Sequence, residues 1–313
     1  MKRIIKLVVC LTLVGIQSAK AQTSIIALHH EGNVTILSGG KIQEAVDASV
    51  KGDTLYLSEG LFPSFNVTHG IVVLGSGEQT VVSGFITITG NEEKEDLGEY
   101  VFSGLNITRG FLVNDSVNVI RMSHCRMEHF YVQNVMDDGE IAMCRIGDLA
   151  FHNAKCSLEV ISSVINNVYY GGETMGAVVF NHCNVAWAQH EGGMGNNASD
   201  RYDTNNTYIN CILHRIDYAT CLNCLYDEQY YNPSLISCYS LNYNCDENLS
   251  PNGLTPEDLE TAGYLGNDGT VVGITGGDSP YTLKMDTPNV VDHKVDVDNV
   301  NRKMTVTLTL SNK

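Results

Sequence analysis

Cys125-Arg126-Met127-Glu128-His129-Phe130-Tyr131-Val132 returns 19 residues later as Cys144-Arg145-Ile146-Gly147-Asp148-Leu149-Ala150-Phe151. It returns again as Ser163-Val164-Ile165-Asn166-Asn167-Val168-Tyr169-Tyr170. The first positions form a column, Leu105, Cys125, Cys144, Ser163 and Cys183, at spacings of 20, 19, 19 and 20 residues. A second column is apolar throughout: Ile107, Met127, Ile146, Ile165 and Val185. Phe130, Leu149 and Val168 make a third, Val132, Phe151 and Tyr170 a fourth, and Met122, Ile141 and Val160 a fifth. Between them stand polar residues such as Arg126, Glu128 and Asp148, and alternation of this kind marks strands rather than helices. A unit this short cannot bury its apolar face alone, whereas coils stacked at ~4.8 Å build one continuous core. The expected fold class is all-β, a single-stranded right-handed parallel β-helix. His129, Asp148 and Asn167 fall in one outward polar stack.

Outward from the repeat, Ile42, Ala45, Val46 and Val50 share one face of a short helix predicted over 42–50, suited to plug the open first coil. Lys51-Gly52-Asp53 ends it, and Thr54-Leu55-Tyr56-Leu57 reads as a strand. The run Gly52-Asp53-Thr54-Leu55-Tyr56-Leu57-Ser58-Glu59-Gly60-Leu61-Phe62, followed by Gly70-Ile71-Val72-Val73-Leu74-Gly75-Ser76-Gly77, resembles the opening of the pectin-lyase-like β-helix superfamily. Asn267-Asp268-Gly269-Thr270-Val271-Val272-Gly273-Ile274-Thr275-Gly276-Gly277 is similar to the close of secreted β-helix proteins of Gram-negative gut bacteria. The resemblance implies fold and export. It implies no single activity, because that superfamily includes lyases, hydrolases, adhesins and non-catalytic proteins.

Residues 1–21 read as a signal peptide: Met1-Lys2-Arg3 and Lys6, an apolar run Leu7–Ile16, then Ala19-Lys20-Ala21 before the expected cut. The run is too short for a membrane span. The expected location is secreted, periplasmic or cell-surface. Cleavage near Ala21 would leave 15 basic residues against 36 acidic ones, a net charge of −21. Such a surface repels nucleic acid and anionic lipid, so neither nucleic-acid binding nor membrane insertion is expected. Residues 22–285 are expected to form the solenoid with its N-terminal cap. Residues 286–313 alternate around Asn299–Lys303 and predict a C-terminal β-hairpin that covers the last coil. The oligomeric state is not specified by these patterns.

The mature chain has nine cysteines. Column positions Cys125, Cys144 and Cys183 read as buried free thiols acting as small apolar residues. Cys221-Leu222-Asn223-Cys224 with Cys238 and Cys245 is the one metal-like spacing, and a local disulfide among these four is the stronger expectation. Asp137, Asp138 and Glu140 read as a plain acidic turn around Gly139, with calcium binding as the alternative. No other cofactor is expected.

The catalytic elements of the resembled superfamily are missing. The chain has no Gly-His-Gly and no Arg-x-Lys, and Lys155 is the only lysine between Lys94 and Lys284. Cys183 to Cys211 spans 28 residues, so one coil carries an insertion. This disrupted coil holds the only tryptophan, Trp187, with His190, Glu191, Asp200, Arg201, Tyr202 and Asp203, and Tyr230 and Tyr231 follow nearby. Indole beside carboxylates suits a sugar, whose C–H face stacks while its hydroxyls pair with polar groups. The expected function is binding of a carbohydrate or surface polymer without catalysis. Two other readings stand beside it. One is a polysaccharide lyase or glycoside hydrolase using His190, Glu191, Asp200 and Asp203, and the other is a structural spacer or adhesin.

Overall fold

A computed structural model describes residues 24–89, 98–152, 156–171, 177–191, 206–216, 219–227, 234–284, 289–298 and 303–311. Residues 1–21, read above as a signal peptide, Asp200–Asp203 and Tyr230–Tyr231 lie outside them. Among the described residues, twelve strands form one sheet, ten form a second and two form a third. Apart from β1 (Ile25–His30), which pairs antiparallel with β2 (Asn33–Ser38) and with β3 (Thr54–Leu57), neighbours in the two large sheets run parallel. The chain alternates between the sheets, one strand in each per coil. The architecture is an all-β parallel solenoid.

The columns read from the sequence are the ladder register. Met127, Ile146, Ile165, Val185 and Leu213 stand side by side on five adjacent strands, all buried. Phe130, Leu149, Val168 and Ala188 do the same, and Phe102, Phe111 and Phe130 pack ring against ring inside.

One residue per coil turns the chain between the sheets. Gly104, His124, Met143, Ser162, His182, Asn210, Asn223 and Ser237 all have φ between 43° and 67°. Each costs about 1 kcal/mol or more when it is not glycine. Stacking offsets this cost: the N–H groups of Met143, Ser162, His182, Asn210 and Asn223 each donate to a carbonyl of the next coil.

The column residue follows immediately, and its role is more than filling space. Cys183 N–H donates to Cys211 Sγ, Cys211 N–H to Cys224 Sγ and Cys224 N–H to Cys238 Sγ, each at 3.4 Å. Cys144 N–H donates to Ser163 Oγ at 3.0 Å. Each thiol also donates to a main-chain carbonyl, as Cys211 Sγ does to Ile209 at 3.1 Å. The column is thus a hydrogen-bonded thiol–hydroxyl ladder, and serine substitutes where it keeps both roles. Burial pushes the Cys144 and Cys211 thiols well above the ordinary value.

Cys221, Cys224, Cys238 and Cys245 are free thiols, so the local disulfide weighed for these four is not formed. Cys224 and Cys238 continue the ladder, while Cys221 stacks between Tyr208 and Leu235 in the other sheet. The Cys-x-x-Cys spacing is therefore a strand end followed by a turn. Beyond the insertion the ladder interval shortens from 28 residues to 13 and 14, because the return to the first sheet becomes a short link.

Helix α1 (Ile42–Ala48) buries Ile42, Ala45 and Val46 and packs against β4 (Gly60–Val67). It stops short of the predicted Val50, which is exposed, because Ser49 turns to extended backbone. Residues 242–281 lie against the turn column. Asn184 Nδ2 donates to Asn248 O and Ser250 Oγ, both at 2.9 Å, and Arg145 Nη2 donates to Glu247 O at 2.6 Å. His182 Nε2 meets Asp268 Oδ2 at 2.8 Å, and Gly273 N–H donates to Asn210 O at 2.7 Å. The Asn267–Gly277 motif is thus a docking segment. Asn289–Asp298 and Lys303–Ser311 form the expected antiparallel hairpin, a sheet of its own.

Candidate functional site

The strands of the ten-stranded sheet bend in the middle. Inward Met127 and Phe130 are three apart, so Glu128 and His129 both face outward, and the same happens at Gly147/Asp148, Asn166/Asn167 and Ala186/Trp187. The second members align as a ridge: His129, Asp148, Asn167, Trp187 and Arg215 on five adjacent strands. At ~4.8 Å per strand the ridge runs about 19 Å. Across Gly110, which has no side chain to intervene, Phe85 stacks on His129 with ring centroids 6.4 Å apart.

The ridge is internally braced. Asp148 Oδ2 lies 3.0 Å from His129 Nδ1, and Asp148 Oδ1 accepts from Asn167 Nδ2 at 2.8 Å. Tyr131 Oη is 2.9 Å from the same His129 Nδ1, and the two rings stack at 4.9 Å. A carboxylate only accepts, so this network places a proton on Nδ1, while the Glu128 carboxylate stands 3.9 Å from Nε2. The Arg215 guanidinium covers the Trp187 indole at 4.9 Å, and Arg109 approaches Phe85 at 5.9 Å. Trp187 Nε1 is buried without a hydrogen-bond partner among the described residues.

Beside the ridge lies an open groove of about 540 Å³, lined by Asn106, Thr108, Arg126, Glu128, Arg145 and Gly147. Arg126 and Arg145 are neighbours in register. Arg126 reaches the Glu78 carboxylate at 3.4 Å, whereas Arg145 is held by neutral acceptors, Glu247 O and Asn248 Oδ1. Arg109, Arg126, Arg145 and Arg215 all emerge from this sheet, and they locally offset a net charge of −17.

Trp187 belongs to the strand Asn184–Glu191, not to the inserted loop, which begins after it. His190 and Glu191 continue that strand in register with Tyr170 and Gly171. Sequence reading put His129, Asp148 and Asn167 in one stack but did not join them to Trp187, and it missed Phe85, Tyr131 and Arg215. The 28-residue interval hid Arg215, and Gly110 hid the link to Phe85.

The calcium candidates sit on the other sheet and do not form a site. Asp138 is ion-paired with Arg121, whose hydrogen bond holds its carboxyl below the usual range, and Glu140 lies in register with Arg121. A guanidinium stands where a cation would be needed, and among the described residues no group of three or more His, Cys, Asp or Glu could hold a metal. Nor is any helix among them long and apolar enough to cross a membrane. No protein-family model matches the chain, and neither a curated protein nor a solved structure matches it.

Proposed function

We propose that this chain is an exported right-handed parallel β-helix of the pectin-lyase-like type, capped by α1, that binds a carbohydrate or other surface polymer along the Phe85–Arg215 ridge. The observation that carries this reading is the single file of aromatic, amide and carboxylate groups, His129–Asp148–Asn167–Trp187, on a rigid sheet face. Aromatic faces accept the C–H face of a sugar, and Asn167, Asp148 and His129 Nε2 supply fixed polar partners for hydroxyls. Preorganised groups on strands lose little entropy when a ligand arrives.

The chain has one tryptophan, so indole fluorescence reports on the ridge alone. Titration with host and plant polysaccharides is expected to shift Trp187 emission for at least one polymer. No shift with any of them would count against the reading.

A polysaccharide-cleaving activity is the second reading, favoured by one observation. His129 is oriented through Nδ1 by a buttressed carboxylate, with the Glu128 carboxylate 3.9 Å from Nε2, an imidazole held in place as general acid–base chemistry requires. New unsaturated or reducing ends that vanish in His129→Ala would support it. Their absence would leave a binding protein.

A further inference from the structure

The two sheets end differently at the N-terminal end of the solenoid. The edge strand of the ten-stranded sheet, β4, is closed off. It carries Pro63, and Gln43 of α1 accepts from Asn66 N–H at 2.8 Å and donates to Asn66 O at 3.1 Å. These are the usual ways in which a sheet edge is protected from pairing. Among the described residues, the edge of the twelve-stranded sheet, β2, has none of them. Asn33-Val34-Thr35-Ile36-Leu37-Ser38 contains no charge and no proline, and its register with β1 runs without a bulge.

The hairpin turn tells which backbone groups are free. Glu31 and Gly32, both at positive φ, form a two-residue turn closed by His30 and Asn33. In that hairpin type the closing pair is hydrogen-bonded and bonding alternates thereafter. Asn33, Thr35 and Leu37 therefore bond to β1, while Val34, Ile36 and Ser38 direct their N–H and C=O to the open edge. The outward side chains there are apolar: Val34 and Ile36 are 57% and 63% exposed, and Ile36, Ala27 and Tyr56 lie side by side across three strands.

We infer that β2 pairs antiparallel with β2 of a second copy, joining the two twelve-stranded sheets across a two-fold axis through Ile36. The occupant follows from charge and symmetry. Two copies with a net charge of −17 repel over most of their surface, and β2 is an uncharged six-residue strand at which they can meet. Its flanks carry opposite charges: Glu31 precedes Ile36 by as many residues as Lys41, which pairs with Glu44 of its own chain at 2.7 Å, follows it. Antiparallel pairing brings each to the other's end. A dyad perpendicular to the sheet keeps inner and outer faces matched, as the period of two requires. It uses all three outward backbone positions, sets Ile36 against its mate and extends the apolar patch across the axis.

The test is the solution mass of the mature chain by light scattering over a wide concentration range. The expected mass is that of two chains, falling to one in Ile36→Lys, which sets two ammonium groups face to face. It should also fall to one in Ile36→Pro, which deletes an edge N–H but no bond to β1. Far-UV circular dichroism unchanged in both variants would show that each is folded. A single-chain mass for the wild type at every concentration, or a two-chain mass retained in both folded variants, overturns the proposal.

Discussion

If the Cys/Ser column is a hydrogen-bonded ladder, Cys211→Ser and Cys211→Ala must differ in a direction that a simple core position would not give. Both substitutions remove the sulfur and leave side chains of nearly equal size. In the native ladder Cys211 Sγ accepts from Cys183 N–H at 3.4 Å and donates to Ile209 O at 3.1 Å, fully buried. Serine keeps both roles. Alanine leaves the Cys183 N–H buried and unpaired, a cost of about 1–3 kcal/mol. The serine variant should therefore be more stable than the alanine variant by about 1–3 kcal/mol, read as the shift of the urea midpoint at constant slope. A purely apolar position predicts the opposite order, since burying a hydroxyl without partners is itself unfavourable. Equal midpoints, or alanine above serine, would refute the ladder. Ser163, which accepts from Cys144 N–H at 3.0 Å, is the chain's own instance of the exchange.

Gly110→Ala would place a Cβ 1.8 Å from the His129 carbonyl oxygen at φ +140°, so a loss of roughly 3 kcal/mol or more is expected. Gly40→Ala, with open space around it, should change stability by less than about 0.5 kcal/mol in the same denaturation assay. Arg145→Ala removes the bonds to Glu247 O and Asn248 Oδ1 and should speed hydrogen exchange in the Asp246–Ser250 turn while leaving the coil strands protected. Acid should weaken the fold in a defined window. Arg121 lowers the Asp138 carboxyl. Burial raises that of Asp268, but the Thr270 N–H and His182 outweigh it and the net direction is down. Groups with a lowered folded value stabilise above the unfolded carboxyl value of about 3.9, and that contribution is lost as pH falls from there through the folded value. Midpoints measured against pH should be level down to that value and then fall, less steeply in Asp268→Asn.

The solenoid was legible because its core repeats in both sequence and space. Met127, Ile146 and Ile165 recur at one period because each lies one coil above the last, and the apolar identity of a column survives changes of residue. The ladder was not legible, since cysteine looks alike whether it fills space or bonds, and only the turn at His182 and Asn210 reveals which N–H groups need a partner. Interval changes hid the rest. Cys224 and Cys238 arrive after 13 and 14 residues, so their cysteines suggested a metal or disulfide instead of two more rungs. The site was half legible. His129, Asp148 and Asn167 fall in one column on paper, whereas Trp187 looked like a loop residue because an insertion follows it. The period already sets Arg121 one coil from Glu140 on paper; what the sequence does not show is that its guanidinium pairs with Asp138.

The most direct test of the ridge is affinity electrophoresis of residues 22–313 through gels containing each polysaccharide of a host and plant panel. The ridge account predicts that at least one polymer retards the wild type. Retardation should be abolished in Trp187→Ala, weakened in Asp148→Ala and unchanged in Tyr56→Ala on the opposite sheet. A polymer that retards the wild type, Trp187→Ala and Asp148→Ala equally would contradict it.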